Sequence, residues 1–194
     1  MPKQLISSKK GILLIIVISQ FCCTSLWFAS NAVMSNLVKV FDLNNEAIGY
    51  LTSSVQFGFI VGTLIFAILT IADRFSPSKV FFISAVLGAL SNSAIIWDEN
   101  TLTSLLVFRF LTGFFLAGIY PVGMKIASDY YKKGLGKSLS FLVGALVLGT
   151  AFPHILKCFI DVSFWKPIII TTSTTALLGG FLILLLVPDG PNRI

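Results

Sequence analysis

Long apolar runs recur along the whole of this 194-residue chain, broken only by short polar stretches. That recurrence narrows the fold more than any single residue does. Runs of about 18 or more apolar residues mark membrane-spanning helices, because in hydrocarbon each backbone N–H and C=O must be satisfied within the segment. Only 11% of the residues are charged and 56% are hydrophobic, too little charge to clothe a soluble domain of this length. The expected fold is an all-α membrane protein of six transmembrane helices, over about 11–33, 47–71, 80–97, 102–127, 138–160 and 167–187. No break resembles a linker to a soluble domain, so residues 1–194 are expected to form a single domain.

The breaks carry punctuation that suits helix ends. In DLNNEAI, Asn44 or Asn45 can cap a helix with Glu46 in its first turn, where a carboxylate meets the positive end of the helix dipole. DENT at 98–101 makes a tight acidic turn, and YKKGLGK at 131–137 combines glycines with bases. Pro167 suits the first turn of the last span, which PDGPN at 188–192 ends. The bases Lys3, Lys9 and Lys10 precede an apolar run too long for a signal peptide and without a clear cleavage site, so that run is expected to stay in the membrane. Cys22, Cys23 and Cys158 lie in or beside apolar segments, where free cysteine behaves as a small hydrophobe. Neither a disulfide framework nor a metal site is expected from them.

Lysine and arginine in short loops set the orientation. With the N-terminus inside, Lys3, Lys9, Lys10, Arg74, Lys79, Lys125, Lys132, Lys133, Lys137 and Arg193 fall on the cytoplasmic side, and only Lys39, Lys157 and Lys166 fall outside. Both termini are then cytoplasmic. Topology accounts for the net charge of +6, so no nucleic-acid partner is expected; the lipid bilayer is the first partner.

An ionised group costs about 2.5–3.5 kcal/mol at the centre of a spanning helix, so one that persists there faces a cavity or a partner. Arg109 sits about seven residues from the outer end of the fourth span, roughly 10 Å deep at ~1.5 Å per residue. It reads as a substrate contact or proton-coupled group, with snorkelling or a structural hydrogen bond as the alternative. The lone His154 follows Pro153 and can either join a proton relay or bond to backbone that the proline frees. Gln20 and Gln56 fall near the bilayer midplane, where amides line a cavity or glue helices together. Gln20 is assigned to a cavity; Asn31 and Tyr120 complete the candidate substrate contacts. Gly58 and Gly62, then Gly113, Gly118 and Gly123, then Gly144 and Gly149 have the spacing of closely packed helices. With Pro121 and Pro153 they mark the fourth and fifth spans as the ones expected to bend. There is no nucleophile elbow, zinc-protease motif, phosphate loop or pair of intramembrane carboxylates, so no enzyme, cofactor or metal centre is expected.

Three stretches together resemble the major facilitator superfamily. ADRFSPSK between the second and third spans is similar to its signature loop G-x-x-x-D-R-x-G-R-R-K, with Asp73, Arg74 and Phe75 on the D-R-x core and Lys79 near the basic end. Leu69, Ser76 and Pro77–Ser78 stand where that pattern has glycine, glycine and two arginines. RFLTGFFLAGIYP resembles the family's fourth helix, and GALVLGTAFP its fifth. The resemblance implies an N-terminal six-helix half, with spans 1, 2, 4 and 5 lining the cavity or the interface between halves and spans 3 and 6 peripheral. It also implies a gating network of Asp73, its neighbouring bases Arg74 and Lys79, and Asp129, which locks the outward-facing state.

The function expected on that basis is secondary active transport of a small solute by alternating access. Arg109 points to an anion, since a buried guanidinium prefers carboxylate or phosphate. A second six-helix half, from a copy of this chain or a separate chain, would be needed. The alternative is a truncated, non-transporting fragment or half-subunit. The expected location is the plasma (cytoplasmic) membrane.

Overall fold

The computed structural model describes residues 9–160 and 164–193, so Lys3 of the cytoplasmic charge set lies outside the described residues. Those residues form helices and turns, with no strand among them. Ten α-helices follow in order: α1 (Lys9–Thr24), α2 (Ala29–Ala32), α3 (Met34–Val40), α4 (Glu46–Ile68), α5 (Ile71–Arg74), α6 (Pro77–Ser93), α7 (Leu102–Leu116), α8 (Tyr120–Tyr130), α9 (Leu135–Phe159) and α10 (Lys166–Leu186). A 3₁₀ turn over Ala94–Ile96 extends α6. Five segments are long and apolar enough to cross a membrane: α4, α6 with its 3₁₀ turn, α7 with α8, α9, and α10.

The first predicted span is the exception, because it is divided between α1 and α2, with α3 following just past its end. The physical cause is local. Thr24 Oγ1 donates to the Gln20 carbonyl at 2.8 Å, and Ser25 Oγ donates to the Cys22 carbonyl at 2.7 Å. Hydroxyls that bond back onto the helix compete with its ladder. The next backbone bonds tighten to i→i−3, Leu26 to Cys23 and Trp27 to Thr24, and the helix gives way to a turn over 25–28.

The fourth span breaks as expected, four residues before Pro121 would meet its carbonyl partner. Ala117, Gly118 and Ile119 donate to Phe114, Phe115 and Leu116, again i→i−3, and α8 restarts with Pro121 in its first turn. In the fifth span α9 runs as one helix through Pro153. Asn44 Oδ1 accepts from the Ala47 N–H at 3.0 Å, which settles the choice between the two cap asparagines. Pro167 sits in the first turn of α10 as expected.

α4 packs along α7, α6 packs on both α7 and α10, and α1 lies between α9 and α10. Small residues set the closest approach. A Cβ at Gly58 would strike the Phe110 carbonyl of α7, and one at Gly113 would strike the Val55 carbonyl of α4, so the two helices touch backbone to backbone. Gly149 of α9 likewise faces the Phe21 carbonyl and Thr24 hydroxyl of α1. One apolar cluster gathers Ile16, Leu26, Phe81, Leu116 and Ile119, and a second gathers Val33, Leu37, Leu51, Leu105 and Ile169.

Burial is uneven. In α4 and α9 only 22% of the apolar window is buried, against 44% in each of the other three crossings. Phe57, Ile60 and Leu64 of α4 and Val143, Val147 and Leu148 of α9 stand outward. These two helices border the cleft described next.

Candidate functional site

The turn at 25–28 exposes carbonyls that a continuous helix would have used, and Arg109 of α7 takes one of them. Its Nη1 donates to the Trp27 carbonyl at 3.3 Å, its Nη2 to Asn31 Oδ1 at 2.6 Å, and its Nε to the Leu51 carbonyl at 3.4 Å. Asn31 in turn donates through Nδ2 to Thr52 Oγ1 of α4 at 3.1 Å. Arg109 is only 1% exposed, and no carboxylate pairs with it among the described residues. One guanidinium fork therefore ties the broken first span to α4 and α7. Of the predicted substrate contacts, Arg109 and Asn31 are brought together, facing each other.

Beside this tether lies a cleft of about 240 Å³ lined by Trp27, Phe28, Gln56, Leu146, Val147 and Thr150. Gln56 is ten residues into α4, roughly 15 Å from its start at ~1.5 Å per residue, so the cleft sits near the middle of the ~30 Å hydrocarbon. Phe59 packs on the Trp27 indole, ring centroids 4.5 Å apart and planes at 44°. The indole Nε1 is buried and finds no partner among the described residues. Thr150 Oγ1 donates to the Val147 carbonyl at 2.9 Å, leaving its oxygen as an acceptor. No charged side chain lines this cleft.

The other candidates lie elsewhere. Gln20 is fully buried, its Oε1 where a side chain at Gly123 of α8 would sit, and neither amide atom has a partner among the described residues. It occupies a helix interface rather than the lining of the cleft. Tyr120 is half-buried at the start of α8, and His154 is exposed on α9 one turn beyond Thr150.

At one end of the bundle the loop between α4 and α6 meets α8 and the segment after α10. Lys125 Nζ lies 3.1 Å from Asp73 Oδ1 and 3.0 Å from Asp129 Oδ1, bridging the two acids. Arg74 and Lys79, the bases nearest Asp73 in sequence, are exposed and make no ion pair among the described residues. Lys125, not among the bases expected at the gate, stands one helical turn (i,i+4) from Asp129. The segment 187–193 covers this network. Asn192 donates twice to the Asp129 carbonyl, through its backbone N at 3.1 Å and its Nδ2 at 2.9 Å. Arg193 Nη1 pairs with Asp189 at 2.6 Å. Ser76 Oγ donates to Asp189 Oδ1 at 2.6 Å and Ser78 Oγ to the Val187 carbonyl at 2.7 Å. The serines that depart from the signature loop are thus the ones fastened to this segment. A cleft of about 230 Å³ between α4 and α7–α8 opens beside Asp73 and Lys125.

The pairing of α6 with α10 also holds polar residues that no motif or spacing singles out. Asn92 Nδ2 donates to Ser173 Oγ at 2.9 Å inside an interface expected to be apolar.

The sequence model of the Major Facilitator Superfamily matches residues 16–193. The chain is 32% identical over 132 residues to the niacin transporter NiaP of Acinetobacter baylyi, covering 63% of this chain and 29% of that protein. It is 30% identical over 129 residues to the benzoate transport protein of the same organism, covering 64% of this chain and 26% of that one. Among solved structures it resembles the proton:xylose symporter XylE with a TM-score of 0.82 at 17% identity, over 94% of this chain and 46% of that one. The chain therefore spans under a third of the two transporters and under half of the symporter.

Proposed function

From the premise that this chain belongs to the major facilitator superfamily and is an integral multi-pass membrane protein, we propose that it moves a small solute by alternating access. The observation that carries the reading is the mid-span cleft between α4 and α9, the two crossings with the least buried apolar surface. A site that must face a moving partner cannot be walled off by its own bundle. A second six-helix bundle, supplied by a copy of this chain or by another chain, completes the pathway. In this reading α1, α2 and α3 together make the sixth crossing and both termini face the cytoplasm at the plasma membrane. The candidate substrate contact in the cleft is Gln56; Arg109 and Asn31 stand behind it as the tether of the first-span turn, and Gln20 and Tyr120 lie away from it in α1 and α8. His154, exposed on α9 near the cleft, is the candidate for proton coupling. The alternative, a non-transporting fragment, is not favoured by the transport names of the relatives.

The gate is Asp73–Lys125–Asp129 with its covering segment, while Arg74 and Lys79 remain available to a facing surface. Partly exposed ion pairs contribute only about 0–1 kcal/mol, which suits an element that must open and close. A double-mutant cycle on Asp73→Asn and Lys125→Met, read by thermal denaturation, is expected to give a coupling of about 1 kcal/mol or less. A coupling of several kcal/mol would make the pair a fixed staple instead.

Transport itself is tested with purified chain in proteoliposomes, measuring solute uptake alongside site-directed crosslinking from Val143 on the outward face of α9. Uptake with crosslinked partners is the expected result. Absence of uptake from a chain that stays monomeric would sink the reading of a functional self-assembly.

A further inference from the structure

We propose that the groove between the α4–α6 loop, α6 and α7 holds an anionic phospholipid, its phosphate at Arg74 and Lys79 and one acyl chain along α6. The inference rests on the orientation proposed above only for the leaflet, which is then the cytoplasmic one.

Charge comes first. Arg74 and Lys79 stand exposed at the loop end of a groove of about 520 Å³. Neither makes an ion pair among the described residues. The acids at this end of the bundle, Asp73, Asp129 and Asp189, already pair with Lys125 and Arg193. Asp42, Glu46, Asp98 and Glu99 lie at the other end of α4 and α6. A second copy of this chain therefore offers these two bases no free carboxylate among the described residues. A lipid phosphodiester does supply the missing anion. An arginine fork takes phosphate through two parallel bonds, and a lysine adds a point charge beside it. Basic pockets between spanning helices at the cytoplasmic end suit anionic headgroups for this reason.

Shape then separates a lipid from a soluble phosphate. Lys79, Ile83 and Leu87 recur at i, i+4 and i+8 and so share one face of α6. All three are exposed, and Ile83 and Leu87 belong to a segment long and apolar enough to cross a membrane. Phe66 of α4 and Phe115 of α7 complete the apolar track. From Lys79 to Leu87 it covers roughly 12 Å at ~1.5 Å per residue, close to the ~15 Å of hydrocarbon in one leaflet. The bases thus sit at headgroup level and the track at acyl level, the order in which a phospholipid presents the two. A free phosphate would use the bases and none of the track.

The test is native mass spectrometry of the detergent-solubilised chain with phosphatidylglycerol and phosphatidylcholine of matched acyl chains. Phosphatidylglycerol is expected to bind about tenfold more tightly or better, since the choline headgroup carries its own cation. Arg74→Gln combined with Lys79→Gln is expected to abolish that preference. Lys132→Gln combined with Lys133→Gln changes exposed bases of the α8–α9 loop outside the groove and is expected to keep it. Ile83→Trp, at an exposed position, fills the track and is expected to weaken phosphatidylglycerol severalfold. Millimolar glycerol 3-phosphate, the soluble source of the same headgroup chemistry, is expected to leave lipid binding unaltered. Full competition by it, equal binding of the two lipids, or equal loss in the two double variants would overturn the proposal. So would unaltered binding in Ile83→Trp, or a crosslink in membranes from Phe75→Cys to a partner chain covering the groove. Equal lipid binding with solute uptake intact would remove this inference and leave the transport reading standing. Selective lipid binding without uptake would do the reverse.

Discussion

Gly113→Val is expected to destabilise the bundle by several kcal/mol, the largest stability effect of any single substitution considered for this chain. A Cβ at Gly113 would meet the Val55 carbonyl carbon at 2.8 Å and the Phe59 amide nitrogen at 3.0 Å, closer still to the Val55 oxygen. These atoms belong to a helix backbone and cannot swing aside as a side chain would. The reciprocal contact, Gly58 against the Phe110 carbonyl, fixes the same pair from the other side, so α4 cannot tilt away from one without losing the other. Overpacking by added methyl groups costs about 1–3 kcal/mol even where flexible side chains can yield. Here α4 must move away from α7, which also strains the Arg109 and Ser54 bonds between them, the latter at 2.7 Å to the Leu106 carbonyl. The measurement is thermal denaturation in detergent followed by size-exclusion chromatography, with Gly144→Ala as control. Nothing lies within 4 Å of a Cβ at Gly144, so that change should be neutral or stabilise by up to about 1 kcal/mol through better helix propensity. Equal melting of the two variants would show that the α4–α7 contact is looser than its geometry implies.

That contact was legible in advance because it is a local signal: small residues at helical spacing announce close approach wherever the partner lies. The same holds for Asn44, Pro167 and the break before Pro121, each set by residues within one or two turns. The turn at 25–28 was not legible. Thr24 and Ser25 weaken the helix there, but the donor that makes the break tolerable in hydrocarbon is Arg109, 82 residues along the chain from Trp27. Once that turn exists, Trp27 and Phe28 present aromatic surface to the cleft, and Gln20, one face away, goes into the interface with α8. Sequence distance misled in the opposite sense at the gate. Arg74 and Lys79 adjoin Asp73 in the chain, yet Lys125 reaches it, since α8 delivers Lys125 and Asp129 to the loop from one helix face.

Arg109→Lys is the second large effect, and it separates two roles that buried arginine can play. If Arg109 clamps an anionic solute, removing its planar fork should weaken solute uptake and leave the melting temperature of the unliganded chain unchanged. If it positions the first-span turn, the unliganded chain should itself melt earlier. The geometry favours the second outcome. Three donors of the guanidinium are engaged by Trp27, Asn31 and Leu51, and a single ammonium cannot reach all three acceptors across two helices and a turn. Each buried acceptor left without a partner costs about 1–3 kcal/mol, enough to let the turn relax and the Trp27 carbonyl seek another donor. We therefore expect Arg109→Lys to destabilise the unliganded chain by about 1–3 kcal/mol, read by thermal denaturation in detergent. Asn31→Ala should reproduce part of the loss, since it removes the shortest of the three bonds and frees Thr52 of α4. An unchanged melting temperature with uptake lost would return Arg109 to the solute and leave the position of Trp27 to Phe59 alone.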